Sequence, residues 1–292
     1  MLFFNSVIFD QPAQMTYISS DLQRECSRTA SRLSFTVGVG NIPIRLCVDG
    51  EAFLELLRER YRGFASKSDQ PVAEFEIKLK PLAHDPDEDL AVRISDSEVH
   101  MVRGDFHAEW NMTTGRGTIH QAPSPYAIDS VLRIVYSLLV VERGGFLFHS
   151  ASAIAGPNAY LFAGPSGSGK TTMCRLASDS VDLLSDEISF VLPEGDGYRA
   201  FGTPFYGELA RPGEPISAPL AAMFILRHAP QNRITTLARF EALHAVMRNI
   251  LFFAKEPVWV QRVLAAAIRF VDSVPVKQME FLPDPEIWKL VA

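Results

Sequence analysis

Residues 164–172 read GPSGSGKTT, a glycine-rich loop that contains one lysine and two threonines. The spacing of Gly164, Gly169, Lys170 and Thr171 fits the Walker A pattern GxxxxGK[ST]. In such a loop, glycines let backbone N–H groups converge on phosphate oxygens, while the lysine adds a positive charge and the hydroxyl a Mg²⁺ ligand. We therefore expect the whole loop to bind nucleotide phosphates, through Gly164, Pro165, Ser166, Gly167, Ser168, Gly169, Lys170, Thr171 and Thr172. The loop alone does not indicate a reaction.

An acidic pair follows the loop. Asp186 and Glu187 come directly after the apolar run of residues 181–185. A carboxylate at a strand end beside a phosphate loop could coordinate Mg²⁺ together with Thr171, or act as a general base. The interval between Lys170 and Asp186 holds one helix and one strand, and this short spacing is typical of kinases. A solvated loop end is the alternative interpretation of the pair.

A histidine precedes the loop, in the segment FLFHSASAI. If the turn Gly156-Pro157-Asn158 joins two strands as a hairpin, His149 lies on the strand next to the one that enters the loop. A histidine packed in the core is the alternative. The combination of His149, the loop and the acidic pair favours a role near the phosphates.

The elements before the loop fall into two parts. Alternating apolar residues predict strands over 42–48 and 75–79, with a helix over 51–64 between them and a meander over 92–120. The proline-containing segment QAPSPY, at 121–126, is the best linker candidate. We therefore predict a small α+β domain over residues 1–125 and a P-loop catalytic domain over residues 126–292.

The predicted P-loop domain alternates helices with strands. Its expected helices are residues 127–143, the segment TTMCRLAS after the loop, 239–253 and 257–272. Its expected strands are FLFHSASAIA, AYLFA, the run VDLLSDEISFVL, PLAAMFIL and VKQMEFL. This order predicts an α/β fold.

Charge and apolar content limit the partners. The 292 residues carry a net charge of −6, and no cluster of Lys and Arg is interleaved with aromatic residues. We therefore expect no binding to nucleic acid or to an anionic membrane. The most apolar stretch, residues 131–141, contains Arg133 and is too short to cross a bilayer.

The cysteines and histidines do not predict a metal site. Cys26, Cys47 and Cys174 form no CxxC pair, which argues against a disulfide framework or a zinc site and favours a reducing compartment. The opening MLFFNSVIFD lacks a basic segment and reaches Asp10 early, so we expect no signal peptide and a cytoplasmic protein. On the meander strands, His100, His107 and His120 lack metal-ligand spacing.

The segments HSASAI, GPSGSGKTT and LLSDEISF together resemble the catalytic region of the HPr kinase/phosphorylase family and its relatives, the phosphoenolpyruvate carboxykinases. The resemblance is most specific over residues 145–190 and looser over GTPFYGE, at 202–208, and the strand APLAAMFIL. It implies a P-loop domain with a mixed, partly antiparallel sheet. It also implies Mg²⁺-assisted transfer of the γ-phosphoryl group of ATP to a hydroxyl.

The resemblance also assigns roles to single residues. It implies that Asp186 is the base toward the acceptor hydroxyl or a metal-site group, and that His149 lies near the transferred phosphoryl group. Glu187 stands where HPr kinases have aspartate, which puts the metal geometry in question. Glu208 and Arg211 are weaker candidates from the polar loop after the core strands.

The chain departs from these families at two points. It has no counterpart of the glycine- and arginine-containing loop that HPr kinases use with their protein substrate, so HPr itself need not be the acceptor. It also lacks the upstream arginine and lysine residues of carboxykinases, so carboxykinase activity is not expected. The acceptor could be a protein, a peptide or a small molecule, and homo-oligomer formation is left open.

Two alternative functions use the same loop. A shikimate- or gluconate-type kinase would place the loop near the N-terminus and an arginine-rich lid after it, and neither feature is present. A nucleotide-sensing protein without phosphoryl transfer would need the loop but not His149 or the acidic pair. Because all three features occur together, the sequence favours a kinase.

Overall fold

The computed structural model describes residues 33–80 and 90–291. Cys26 and the opening ten residues lie outside this range. The described chain divides into two compact units: the first unit comprises residues 33–80, 90–135 and 253–256, and the second unit residues 136–252 and 257–291. The division falls inside the helix Pro125–Glu142. The boundary at 125/126 stays a prediction.

The first unit contains a seven-stranded sheet in the order β1-β2-β3-β7-β6-β5-β4. β2–β3 and β3–β7 pair in parallel, and the other neighbours are antiparallel. The strands are β1 Leu33–Val39, β2 Ile42–Val48, β3 Ala73–Leu79, β4 Ala91–Ser95, β5 Glu98–Arg103, β6 Phe106–Asn111 and β7 Arg116–Gln121, and helix α1 is Glu51–Arg60. The predicted strands 42–48 and 75–79 and the meander are confirmed.

Alternation along these strands separates an apolar face from a polar one. On β6 the side chains of Phe106, Ala108 and Trp110 are buried, whereas His107 and Glu109 between them are exposed. This is the two-residue period of a sheet with one face packed on a core. Helix α1 contacts β1 and buries Phe53, Leu54 and Leu57.

The second unit contains an eight-stranded mixed sheet and most of the helices. Its strands are β8 Phe146–Ala155, β9 Asn158–Ala163, β10 Val181–Ser185, β11 Ile188–Glu194, β12 Gly197–Phe201, β13 Ser217–His228, β14 Arg233–Thr236 and β15 Val276–Phe281. The helices are α2 Pro125–Glu142, which spans the division, α3 Lys170–Arg175, α4 Arg239–Asn249, α5 Pro257–Ser273 and α6 Trp288–Val291, preceded by a 3₁₀ turn at Pro285–Ile287. The predicted α/β class with a mixed sheet is confirmed.

β8 organises one side of this sheet. It forms the predicted antiparallel hairpin with β9, and its opposite edge pairs with both β10 and β11. β9 then pairs in parallel with β13, and β13 pairs in parallel with β15. The acidic pair between β10 and β11 therefore lies along the edge of β8 opposite β9, and β8 separates it from the strand that enters the loop.

The run VDLLSDEISFVL is two strands, so the prediction of one continuous strand is wrong. The hydroxyl of Ser185 accepts hydrogen bonds from the backbone N–H groups of Glu187, at 3.1 Å, and Ile188, at 2.9 Å. This local side-chain-to-backbone bonding interrupts the strand at Asp186 and Glu187. The break presents both carboxylates at a strand junction.

Both faces of the second sheet are packed. One face carries a cluster that includes Phe146, Leu161, Val246 of α4 and Phe270 of α5. The other face carries Phe162, Phe224, Met173 of α3 and Trp288 of α6. No helix in the described part of the chain is long and apolar enough to cross a membrane.

Candidate functional site

The loop between β9 and α3 has the backbone that its glycines predict. Gly164, Gly167 and Gly169 have φ angles of 153°, 75° and 104°, which L side chains rarely adopt. A Cβ on Gly169 would lie 2.4 Å from Cζ of Phe281, and one on Gly164 would lie 2.7 Å from Oγ of Ser168. These two positions therefore require glycine for space as well as for conformation.

Lys170 folds across this loop. Its ammonium group donates hydrogen bonds to the backbone oxygens of Gly164, at 3.0 Å, and Pro165, at 3.2 Å. Burial lowers the pKa of Lys170, and the negative charges of Glu187 and Glu208 oppose that shift. The structure thus brings two carboxylates toward the loop lysine.

Ser168 is the polar residue of the loop that is buried without a partner. Its side-chain oxygen has no hydrogen-bond partner within the described residues, and the residue is only 7% exposed. A buried hydroxyl left unpaired costs about 1–3 kcal/mol. A phosphate oxygen at the loop would supply the missing partner, so the unpaired hydroxyl fits an anionic ligand.

Two residues outside the motif hold the loop. Nε2 of His228, at the end of β13, lies 3.0 Å from the backbone oxygen of Gly167. The His228 ring packs against Phe281, at the end of β15, with ring centroids 5.1 Å apart. Neither residue could be predicted from the sequence, because only the parallel pairing of β13 with β15 brings them together.

Asp186 has backbone partners on both oxygens. Oδ1 accepts the N–H of Gly207 and Oδ2 that of Leu209, each at 2.9 Å, and the residue is 7% exposed. Such paired amide bonds to a carboxylate are strong because the acceptor is charged. Asp186 therefore anchors the segment that follows β12, a role that the sequence did not predict.

The anchored segment, residues 202–214, is also joined to β10 and β11. Thr203 donates its backbone N–H to Leu184 O and its hydroxyl to Ile188 O. A Cβ on Gly213 would lie 1.7 Å from Leu184 O, so the segment approaches the strand too closely for any side chain there. This packing fixes the position from which Glu208 and Arg211 extend.

Glu208 and Arg211, the weaker candidates, both act on residues of α3. Glu208 raises the pKa of Lys170 and forms an exposed ion pair with Arg175, at 3.7 Å. Burial, with a smaller contribution from Asp186, raises the pKa of the Cys174 thiol to about 12, and Arg211 opposes this rise. Residues 202–214 therefore bring charge of both signs to the site.

His149 lies on β8, one residue outside the part of that strand that pairs with β9. It is opposite Ile188 on β11, and its neighbour Ser150 is opposite Ala163, the last residue of β9. His149 is half-buried. The hairpin that was predicted to bring it next to the loop strand is confirmed, whereas its role toward a phosphoryl group stays a prediction.

Comparison with solved structures gives matches of low similarity. The Hpr(Ser) kinase/phosphatase from Coxiella burnetii matches 42% of this chain and 87% of its own, at 10% identity and a TM-score of 0.22. A TM-score this low carries no weight for fold or function. No curated protein matches the sequence.

A family model gives a more extensive match. The model described as SynChlorMet cassette protein ScmC matches residues 120–281, which is more than half of the chain. The matched range includes His149, the phosphate loop, the acidic pair and residues 202–214. It also includes His228 and Phe281, which hold the loop. The chain therefore belongs to the ScmC family.

Proposed function

We propose that this protein is an ATP-dependent kinase of HPr kinase-like fold that transfers the γ-phosphoryl group to a hydroxyl. The acceptor class is a serine of a protein or peptide, or a small molecule. The observation that carries the proposal is the glycine-required phosphate loop, in which the Ser168 hydroxyl is buried without a partner beside Lys170. Most buried hydroxyl groups are hydrogen-bonded, so an unpaired one inside a phosphate loop supports a ligand there.

The residues present fit a nucleoside triphosphate and Mg²⁺. The loop amides, the Ser168 hydroxyl and the Lys170 ammonium are donors for phosphate oxygens. The Thr171 hydroxyl and the carboxylates of Asp186 and Glu187 are the oxygen ligands that Mg²⁺ prefers. Bound there, Mg²⁺ would neutralise charge on the phosphate oxygens during transfer.

In this proposal Lys170 moves its hydrogen bonds from the loop carbonyls to phosphate oxygens. The lysine is half-buried, and burial already lowers its pKa. Its charge is therefore less screened than that of a surface lysine, which strengthens its attraction to an anion. Holding the phosphate in one orientation is the main contribution that such sites make to phosphoryl transfer.

Two carboxylates are candidates for orienting the acceptor hydroxyl. Asp186 is the residue implied by the family resemblance, but both of its oxygens accept backbone N–H groups. Glu187 acts on the charge of Lys170, and it lies against Gly207. We assign orientation of the hydroxyl to Glu187 and positioning of residues 202–214 to Asp186, with His149 near the transferred group.

A second candidate function is nucleotide sensing without transfer. The bonding of Asp186 favours it, because a carboxylate that holds two backbone amides is suited to transmit loop movement. In that case nucleotide binding would shift residues 202–214, and no phosphoryl group would leave. The two functions share the loop but differ in what Glu187 does.

Turnover without an added acceptor separates the two functions. Because water can replace the acceptor hydroxyl, a kinase should hydrolyse Mg²⁺-ATP slowly in the purified full chain. We expect Glu187→Gln to reduce that hydrolysis by about 10²–10⁴-fold, the usual contribution of a general base. Glu214→Gln, which changes an exposed glutamate of residues 202–214, is the matched control.

The outcomes of this experiment are distinct. ATP binding without turnover in the wild type would support sensing and contradict the kinase. Turnover that is lost in Asp186→Asn but kept in Glu187→Gln would move the hydroxyl-orienting role to Asp186. Turnover unaffected by either substitution would exclude both carboxylates from the reaction.

A further inference from the structure

A histidine and glutamate cluster lies on the polar face of the first unit, apart from the phosphate loop in sequence. His100 is on β5, and His107 and Glu109 are on β6. His100 is directly opposite Glu109 in the antiparallel register, and His107 is two residues before Glu109 on the same face. The spacing of these residues along the chain predicted no metal site, because it does not show which residues lie opposite one another on paired strands.

The ligand atoms converge without hydrogen bonding to one another. Nδ1 of His100 and Nε2 of His107 each lie 3.6 Å from Oε1 of Glu109, and one ligand atom from each residue lies within 4.8 Å of the others. A hydrogen bond between such atoms would be about 2.7–3.2 Å long. Both imidazoles are thus near the carboxylate but not bonded to it.

Two of the three separations, each 3.6 Å, are close to the spacing of ligand atoms around one ion, and the third is within 4.8 Å. Zinc binds imidazole nitrogen and carboxylate oxygen at about 2.0–2.2 Å. Two ligands of a tetrahedral ion at that distance are about 3.4 Å apart. The observed 3.6 Å would therefore need only a small side-chain adjustment to accommodate an ion.

We propose that His100, His107 and Glu109 form a binding site for a divalent late first-row transition ion, for which Zn²⁺ is the representative. Imidazole with one carboxylate suits Zn, Cu, Fe and Ni better than Ca or Mg. The ion would link β5 to β6 and leave at least one coordination position for water or an external ligand. This site is independent of the proposed kinase function.

The surroundings of the cluster give an ion access from solvent but also place positive charges nearby, which lower its affinity. The three side chains are 46%, 47% and 55% exposed, so an ion can reach them from solvent. His120 on β7 is opposite His107, with ring centroids 6.3 Å apart, and extends the cluster to a third strand. Arg93 lies opposite His100, and Lys80 and Lys78 act on His120; these nearby cations would weaken binding.

Zinc titration of the metal-free full chain tests the proposal. We expect one equivalent of Zn²⁺ whose affinity falls by about tenfold or more in each of His100→Gln, His107→Gln and Glu109→Gln. His244→Gln, which removes an exposed histidine from α4, should bind as the wild type does. Melting temperatures in EDTA should agree among all of these proteins, because the substituted side chains are exposed.

Spectroscopy gives a second readout. Co²⁺ added to the wild type should produce visible absorption bands of a nitrogen- and oxygen-ligated ion, and these bands should be absent from His107→Gln. Wild-type protein that takes up no Zn²⁺ at about 100 μM would overturn the proposal, since that affinity is only about 5.5 kcal/mol. So would three variants that bind Zn²⁺ as tightly as the wild type.

Discussion

The phosphate loop and the cluster of His100, His107 and Glu109 are built by opposite means. The loop uses backbone groups, positive φ angles and a buried hydroxyl. Phe281 packs against Gly169, and His228 hydrogen-bonds to the backbone oxygen of Gly167. The cluster uses three exposed side chains that extend from regular strands. The phosphate loop therefore depends on its backbone conformation, and the cluster depends on which side chains share one face of the sheet.

This difference predicts how each region responds to substitution. A change in the loop alters packing in the second unit, because a Cβ at Gly169 or Gly164 has no space. A change in the cluster alters ligands but leaves the buried face of the strand, with Phe106, Ala108 and Trp110, intact. Stability should therefore depend on the first site far more than on the second.

The largest expected effect is from Gly169→Ala. The new methyl group would meet Phe281 at 2.4 Å in a backbone conformation with φ of 104°, so we expect a loss of about 2–4 kcal/mol in unfolding free energy. Gly167→Ala is the matched control, since its φ is 75° but nothing lies within 4 Å. It should cost only about 1–2 kcal/mol. Urea unfolding of both variants measures the difference, and equal losses would contradict the role of Phe281.

A smaller effect is expected from Asp186→Asn. The asparagine amide nitrogen cannot accept the N–H that one carboxylate oxygen now accepts from Gly207 or Leu209, so we expect a loss of about 1–3 kcal/mol. Protease cleavage within residues 202–214 should become faster. Glu187→Gln should cost less, because it leaves the two backbone hydrogen bonds of Asp186 intact. If the two variants unfold at the same urea concentration, Asp186 is not the anchor of that segment.

His228→Ala should weaken the loop without unfolding the protein. It removes the hydrogen bond to Gly167 O, which is worth about 0.5–1.5 kcal/mol. Because the loop must then be ordered by its ligand, the affinity for Mg²⁺-ATP should fall by about 2- to 10-fold. Calorimetric titration measures this, with His244→Ala as control. Unchanged affinity would show that the loop does not need His228.

The smallest effect is expected from His107→Gln in metal-free protein. The side chain is 47% exposed and its contact with Glu109, at 3.6 Å, is too long for a hydrogen bond, so stability should change by less than about 0.5 kcal/mol. Thermal unfolding in EDTA measures this. A loss comparable to that of Gly169→Ala would remove the contrast between the two regions.

What could be predicted from the sequence follows the same contrast. The loop and the acidic pair could be predicted because each is a continuous stretch of sequence. The hairpin of β8 and β9 could be predicted from its two apolar strands and the turn between them. The break at Ser185 could not be predicted, because it depends on which backbone amides a serine hydroxyl bonds. His228 and the cluster of His100 with Glu109 depend on strand pairing and register, which single-sequence patterns do not specify.

The backbone partners of Asp186 were also not predictable. A carboxylate after an apolar run fits a base, a metal ligand and a loop anchor equally well. Only the return of residues 202–214 to β10 and β11 supplies the two amides that occupy it. That return is set by close approach at Gly213, which has no signature in sequence.

The most direct test of the central claim is equilibrium binding of Mg²⁺-ATP to the full chain, compared with Lys170→Met. Loss of a charged hydrogen-bond donor costs about 1.5–3 kcal/mol, so we expect the wild type to bind and the variant to have an affinity lower by about 10- to 100-fold. Lys289→Met, an exposed lysine on α6, should bind as the wild type does. Wild-type protein that does not bind Mg²⁺-ATP, or a Lys170→Met variant that binds it equally well, would contradict the account.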